Sequence, residues 1–359
     1  MTADRDKALT LWRAAMPGAD ALPFRIDRTR LYRIGELYRF YRPRAPESWT
    51  RSFDHAVYCW TLGADGKARK LGAADTVAER LHDTAIGRAT EDFLDACGRK
   101  VVGIMGGHDT PRDAPEFRKV AEIARRLQRR GFTIVTGGGP GLMEAANFGA
   151  FMAPYRAAAF DAALAMLAAH PAAGDHAAWI ASAASVRARL LGRWNGRERR
   201  ESWSLGIPTW YYGNEPPNLF ASHSGKYFFN SVREDGLITI ADGGIIFGPG
   251  KAGTVQEIFQ NAPLNYYRTD GTAATPMVLL GTRFWNPKKP GGAQAKPAWP
   301  LLRALARQAD LPFGDAVLLS DDCDAIVALI AKGGSRRRVT TAADAARQGK
   351  LRGRAMASF

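Results

Sequence analysis

The run Gly243-Gly244-Ile245-Ile246-Phe247-Gly248-Pro249-Gly250-Lys251-Ala252-Gly253-Thr254-Val255-Gln256-Glu257 decides how the chain is read. Its opening residues are short and apolar, the pattern of a strand buried on both faces. Ile258-Phe259 and the residues beyond continue as a helix. The stretch between is a glycine-rich turn whose last residues open that helix. Such a turn leaves backbone N–H groups unpaired beside the positive end of the helix dipole, which suits a phosphate or another anion. Glu257 follows Thr254 by three positions. That is about one helical turn, so its carboxyl stays near whatever the turn holds.

The same grammar appears upstream. Val101-Val102-Gly103-Ile104-Met105 reads as a buried strand ending in the turn Gly106-Gly107-His108-Asp109. A helix is predicted over about 115–130, with Phe117, Val120, Ala121, Ala124 and Leu127 on one face and Gly131 closing it. Phe132 to Thr136 is the next strand, and Gly137-Gly138-Gly139-Pro140-Gly141-Leu142-Met143-Glu144 is a second glycine turn opening a second helix. Repeated strand–turn–helix units predict an α/β fold, a Rossmann-like doubly wound parallel sheet, with ligands outside the carboxyl ends of its strands. Further strands are expected at 206–212, 277–280 and 316–319, a helix-like stretch over 226–233, and a loop over 282–300.

Around this unit the chain divides into residues 1–98, a mixed N-terminal extension; 99–335, the nucleotide-binding fold with a helical, Ala- and Arg-rich insertion at 151–203; and 336–359, a basic tail. In the extension, His55 to Leu62 turning at Ala64-Asp65-Gly66 reads as a hairpin.

The chain has 359 residues, 46% of them hydrophobic, enough for a sizeable core. No apolar run approaches the roughly 20 residues of a membrane span, and the first residues lack the apolar centre of a signal peptide. The three cysteines, Cys59, Cys97 and Cys323, are too scattered for a zinc site or a disulfide framework. A cytoplasmic protein is expected, with neither metal nor cofactor. The net charge of +15 draws polyanions or a phosphorylated substrate toward the surface. The Arg/Tyr mixture at 25–44 could serve a single-stranded nucleic acid, which makes that partner conceivable but not favoured.

The turn at 248–254 is not a P-loop, because Lys251 is followed by Ala252-Gly253-Thr254 instead of Ser or Thr. Nor does Gly137 to Leu142 fit the dinucleotide fingerprint, whose sixth position Leu142 occupies. No lysine stands out for a pyridoxal Schiff base. His108-Asp109 reads as loop.

Taken together, Gly-Gly-Gly-Pro-Gly-Leu-Met-Glu at 137–144 and Pro-Gly-x-x-Gly-Thr-x-x-Glu at 249–257 resemble the Lonely Guy family. These are cytokinin-riboside 5′-monophosphate phosphoribohydrolases and related nucleotide nucleosidases, often mislabelled lysine decarboxylases. The resemblance covers about 99–330 and is closest to the longer bacterial branch. It implies hydrolysis of the N-glycosidic bond of a nucleoside 5′-monophosphate, AMP among them, by a homodimer. By that likeness Gly250, Gly253 and Thr254 hold the 5′-phosphate with Lys251 beside it, and Glu257 is the catalytic carboxylate. Arg233 is the catalytic arginine, and Gly106, Gly107, Gly138, Gly139, Gly141, Met143 and Glu144 line the nucleotide site. Three positions depart from the family pattern: Lys251 stands for a glycine, Gln256 for a glutamate and Glu234 for a lysine. A non-catalytic nucleotide sensor using the same pocket is the alternative reading.

Overall fold

The structure is a computed structural model that describes residues 22–63, 65–211, 215–268, 273–287, 295–309, 313–332 and 334. The basic tail at 336–359 lies outside the described residues.

Seven strands form one sheet, all pairs parallel, in the order β4-β3-β2-β1-β5-β6-β7. They are β1 (Val101–Met105), β2 (Thr133–Thr136), β3 (Leu205–Gly206), β4 (His223–Ser224), β5 (Gly244–Phe247), β6 (Met277–Leu280) and β7 (Val317–Ser320). β1 lies between β2 and β5, in register Val102↔Ile134 and Val102↔Gly244. Every residue of β1, β2, β5 and β6 is buried, as apolar strands covered by helices on both faces require. The chain steps outward from β1 to β4, returns to β5, and steps outward the other way. The crevice between the carboxyl ends of β1 and β5 is thus the topological switch point, where such sheets take ligands.

Among the described residues the α-helices before β2 are α1 (Ile34–Leu37), α2 (Phe53–Trp60), α3 (Ala73–Cys97) and α4 (Pro115–Arg129). The last starts with Pro at its first position and buries Phe117, Val120, Ala121, Ala124 and Leu127 against the sheet. Gly131 follows it at φ 86°, the left-handed conformation that ends helices. After β2 come α5 (Leu142–Phe151) and the insertion helices α6 (Ala157–Ala168) and α7 (His176–Leu191). Then follow α8 (Asn230–Ile240), α9 (Ala252–Tyr266), α10 (Thr282–Trp285), α11 (Ala298–Gln308) and α12 (Cys323–Ala331).

The expected hairpin at 55–66 is instead α2. Ser52 caps it, its hydroxyl accepting from the His55 N–H at 3.2 Å, and Asp54 sits in the first turn. The alternating look of Ala56 to Leu62 hides a helical face, since Val57 is buried and Trp60 meets Phe24 edge-on at 5.1 Å. The turn does form, but after the helix, with Gly66 at φ 72° and an antiparallel bridge Leu62↔Ala68; Ala64 lies outside the described residues. The strand expected over 206–212 is reduced to Leu205–Gly206, because Pro208 cannot donate to a ladder; pairing resumes only as the bridge Thr209↔Tyr227. Tyr212 lies outside the described residues. The helix-like stretch starts only at Asn230, with the two-residue strand β4 ahead of it. The expected loop at 282–300 holds the short helix α10 and the start of α11; residues 288–294 lie outside the described set.

The extension docks on the β4 edge. The Tyr32 N–H donates to the Ser224 carbonyl at 2.9 Å and the Ser224 N–H returns a bond to Tyr32 at 2.8 Å. Behind this edge the Lys226 ammonium, wholly enclosed, pairs with Asp54 at 2.6 Å, and burial lowers its pKa. Tyr32, Tyr38 and Tyr41 are all core residues, so none offers a ring for a nucleobase to stack on. Among the described residues no helix is long and apolar enough to cross a membrane.

Candidate functional site

Three glycine turns meet at the carboxyl ends of β1, β2 and β5. Gly107 is held between the other two: its N–H donates to the Pro249 carbonyl at 2.8 Å, and its own carbonyl accepts from Leu142 N–H at 3.0 Å. A side chain on Gly106 would strike Leu142, with Cδ1 2.6 Å from the added carbon. Gly141 sits at φ 67°, pressed against the backbone of Gly107 and His108. Gly138 sits at φ 78° with Pro208 Cδ 2.7 Å from where a Cβ would be. No L-residue fits either position without moving backbone. Gly106, Gly107 and Gly141 therefore close the turns onto one another, while Gly137 faces Met143 and Arg233 and Gly139 faces Met143 and Glu215.

At the β5 turn, Lys251 is the N-cap of α9 without a side-chain cap, leaving the first-turn N–H groups of Ala252, Gly253 and Thr254 beyond the reach of intrahelical carbonyls. Ala252 and Gly253 are exposed, and a Cβ on Gly253 would touch nothing. Thr254 is buried under the turn, so close beneath Gly250 that a side chain there would collide with its hydroxyl. The substitution of lysine for glycine at 251 strains nothing, since φ there is −94°. Its ammonium pairs with Asp109 at 3.1 Å on the rim, which gives the His108-Asp109 turn a place beside the mouth.

One turn further along α9 stands Glu257, half-buried. Burial raises its carboxyl pKa to about 7; the Arg233 charge opposes that and the Glu234 charge adds to it. Arg233, itself 8% exposed, is held by α8. Its Nε donates to Asn230 Oδ1 at 2.7 Å, Nη1 to the Ile207 carbonyl at 3.3 Å and Nη2 to Glu234 Oε1 at 3.1 Å. Nη1 also lies 3.3 Å from where a Cβ on Gly137 would stand, with Met143 Sδ 2.7 Å from the same point. Glu257, Arg233, Met143 and the Gly137 turn thus share one cradle. Two of the departures from the family pattern touch each other: Gln256 Nε2 donates to Glu234 Oε2 at 3.1 Å. The glutamate that replaces lysine is answered by an amide where a carboxylate would have repelled it.

Glu144 is placed differently. It is fully enclosed, its oxygens taking Arg112 Nε at 2.9 Å, Arg112 Nη2 at 2.5 Å and Trp179 Nε1 at 2.9 Å. Arg112 continues to Ser182 Oγ at 2.7 Å and to the carbonyls of His170 and Trp179. The pair ties α7 to α5 through Trp179 and Ser182.

Sequence reading passed over two residues of the loop after β3. Asn218, fully buried, donates its side-chain amide to the carbonyls of Gly138 and Gly139 at 3.0 and 3.1 Å, and its N–H to Gly138 at 2.8 Å. Glu215, in the same loop, lays Oε2 3.2 Å from the position of a Cβ on Gly139. A polar residue among prolines was the available signal; its partners lie some eighty positions away.

Fold and site define a Rossmann-like α/β protein with a ligand crevice at its switch point. The sequence model of the SLOG cluster4 family matches residues 99–154, which span β1, α4, β2 and α5 with the glycine turns at 106–109 and 137–141. No curated protein matches the chain. Among solved structures, the molybdenum cofactor binding protein of the phototrophic bacterium Rippkaea orientalis aligns at 14% identity and TM-score 0.38, over 65% of this chain and 95% of its own. The molybdenum cofactor carrier protein of Chlamydomonas reinhardtii aligns at 16% identity and TM-score 0.38, over 65% and 99%. At that distance neither likeness bears on the ligand.

Proposed function

We propose that the protein binds a nucleoside 5′-monophosphate at the switch point and hydrolyses its N-glycosidic bond to free base and ribose 5-phosphate. The observation that carries this reading is Glu257: a carboxyl with pKa near 7, within the field of Arg233, one turn from an open helix N-terminus. The phosphate takes the first-turn N–H groups of α9, with Thr254 beneath them and Lys251 at the rim. The ribose then lies along α9 toward Glu257. Ionised Glu257 takes a proton from water as its oxygen bonds to C1′. The C1′–N bond breaks with its electrons moving onto the base, which is then protonated. Positive charge on the sugar ring is stabilised by the carboxylate as it develops. A base with pKa near the working pH combines availability with basicity.

Arg233, fixed from three sides, is a charge held in place to tune Glu257. Glu144, with its oxygens engaged, serves the structure in this reading. Leu264 and Tyr267, exposed at the end of α9, suit the contact of a homodimer. A non-catalytic sensor is favoured by one observation alone: Glu234 occupies Arg233 Nη2 where the family has a lysine.

Incubation with AMP, GMP, IMP, CMP and UMP, with free base and ribose 5-phosphate measured, tests the reading. Base release should fall about 10²- to 10⁴-fold in Glu257→Gln. Nucleotide bound without release by the native protein would favour the sensor, and no binding at all would reject both.

A further inference from the structure

The glycine turn at 137–141 is faced by a carboxylate, Glu215, that the hydrolytic reading leaves unused. Oε2 of Glu215 and Cε of Met143 lie 3.2 and 3.0 Å from the point where a Cβ on Gly139 would stand. At Gly137 the corresponding point is 2.7 Å from Met143 Sδ and 3.3 Å from Arg233 Nη1. The Met143 thioether therefore spans the turn, with Arg233 at one end and Glu215 at the other. Glu257 stands one turn beyond Thr254 and feels the charge of Arg233, which shares the glycine turn with Met143 and Glu215. A nucleotide with its phosphate on α9 and its ribose at Glu257 carries its base past Met143 to Glu215.

Glu215 is also firmly backed. The loop that bears it is tied to the same turn through Asn218, which bonds the Gly138 and Gly139 carbonyls, and to the extension through Tyr38, whose hydroxyl donates to the Pro217 carbonyl at 2.7 Å. Tyr38 and Asn218 are both buried. A carboxylate set on a loop clamped from two sides is suited to reading a fixed pattern of donors.

We propose that Glu215 is a specificity-determining residue that accepts two adjacent N–H donors of a guanine-type base edge, so that the preferred ligand is a guanine nucleotide. The inference rests on the nucleotide reading above. Guanine presents its N1–H and its 2-amino group side by side, matching the two oxygens of one carboxylate. Adenine presents a lone pair at N1 instead, which would face an anionic oxygen. Hypoxanthine keeps the N1–H and lacks the amine. The expected order is GMP, then IMP, then AMP, with the Met143 sulfur as a polarisable surface for the ring. Pterins carry the same pair of donors on another scaffold.

The test is equilibrium binding of GMP, IMP, AMP and neopterin monophosphate to the full-length protein, to Glu215→Gln and to Tyr38→Phe. The native protein should bind GMP at least about ten-fold tighter than AMP, the scale of a charge-assisted pair of hydrogen bonds. Glu215→Gln should bring that ratio close to one, and Tyr38→Phe should narrow it by loosening the loop. Neopterin monophosphate bound more tightly than GMP, with the same dependence on Glu215, would keep the residue's role and assign the edge to a pterin. A ratio untouched by Glu215→Gln, or equal losses for GMP and AMP, would overturn the inference; the latter would put the carboxylate on the ribose. If the native protein binds none of the four, the nucleotide reading itself fails. If it binds them without preference, only this inference does.

Discussion

Two glycine turns at the same end of one sheet open two helices, and each helix carries a glutamate near its start. Glu144 and Glu257 look alike in sequence and end in opposite conditions. Glu144 is wholly enclosed, yet Arg112 grips it with two bonds and Trp179 adds a third. Glu257 is less enclosed, yet burial lifts its carboxyl to about 7 against the opposing charge of Arg233. What separates the two acids is what answers their burial: Glu144 meets a guanidinium and an indole, whereas burial lifts Glu257 against the Arg233 charge. A buried carboxyl such as Glu257 holds its proton into the range where it can exchange it.

The contrast can be broken most forcefully at its structural side. Arg112→Ala strands the Glu144 carboxylate in the interior, and denaturant unfolding should show a loss of about 3–5 kcal/mol. A loss below about 1 kcal/mol would mean the site is wetter than its geometry implies. The reactive side gives a smaller effect with a pH signature. The folded protein keeps the Glu257 proton between the ordinary 4.5 and about 7, where the unfolded chain has released it, so stability declines as pH rises through that window. Glu257→Gln removes this contribution and should raise the Tm relative to the native protein at pH 8, with the gain vanishing near pH 4. Glu79, also lifted to about 7 by burial, keeps a slope of its own in both proteins, so their difference is the quantity to follow. The smallest effect belongs to the rim. Lys251 and Asp109 have side chains 60% and 58% exposed. Lys251→Ala should therefore move stability by no more than about 0.5 kcal/mol while weakening phosphate capture at low salt. A larger stability change would show the pair to be more than a surface contact.

The sheet was legible because its central strands are continuous apolar runs bounded by glycine, and parallel order follows from strand–turn–helix alternation. The open helix start at Lys251 was legible for the same reason, being a property of backbone at a glycine-rich turn. Reading by alternation failed at Ala56–Leu62, where a capping serine and a helical face at Val57 and Trp60 outweighed a strand-like pattern. It failed at Pro208, which shortened a strand the apolar run had promised. The buried place of Glu144 could not be read at all, since its donors arrive from Arg112 and Trp179 in separate elements. Glu215 and Asn218 were hidden likewise, their meaning residing in carbonyls at Gly138 and Gly139.

The Arg112 bolt also bears on synthesis. Arg112 leaves the ribosome first, Glu144 next, and Trp179 and Ser182 only with the second insertion helix. Until about residue 191 has emerged, the pair lacks the cover that the indole and hydroxyl provide, although β1, α4, β2 and α5 are already made. The first half of the sheet is therefore poised to mature in step with the insertion and not ahead of it. Cutting 151–203 out to obtain a minimal protein would leave that half permanently in its nascent condition.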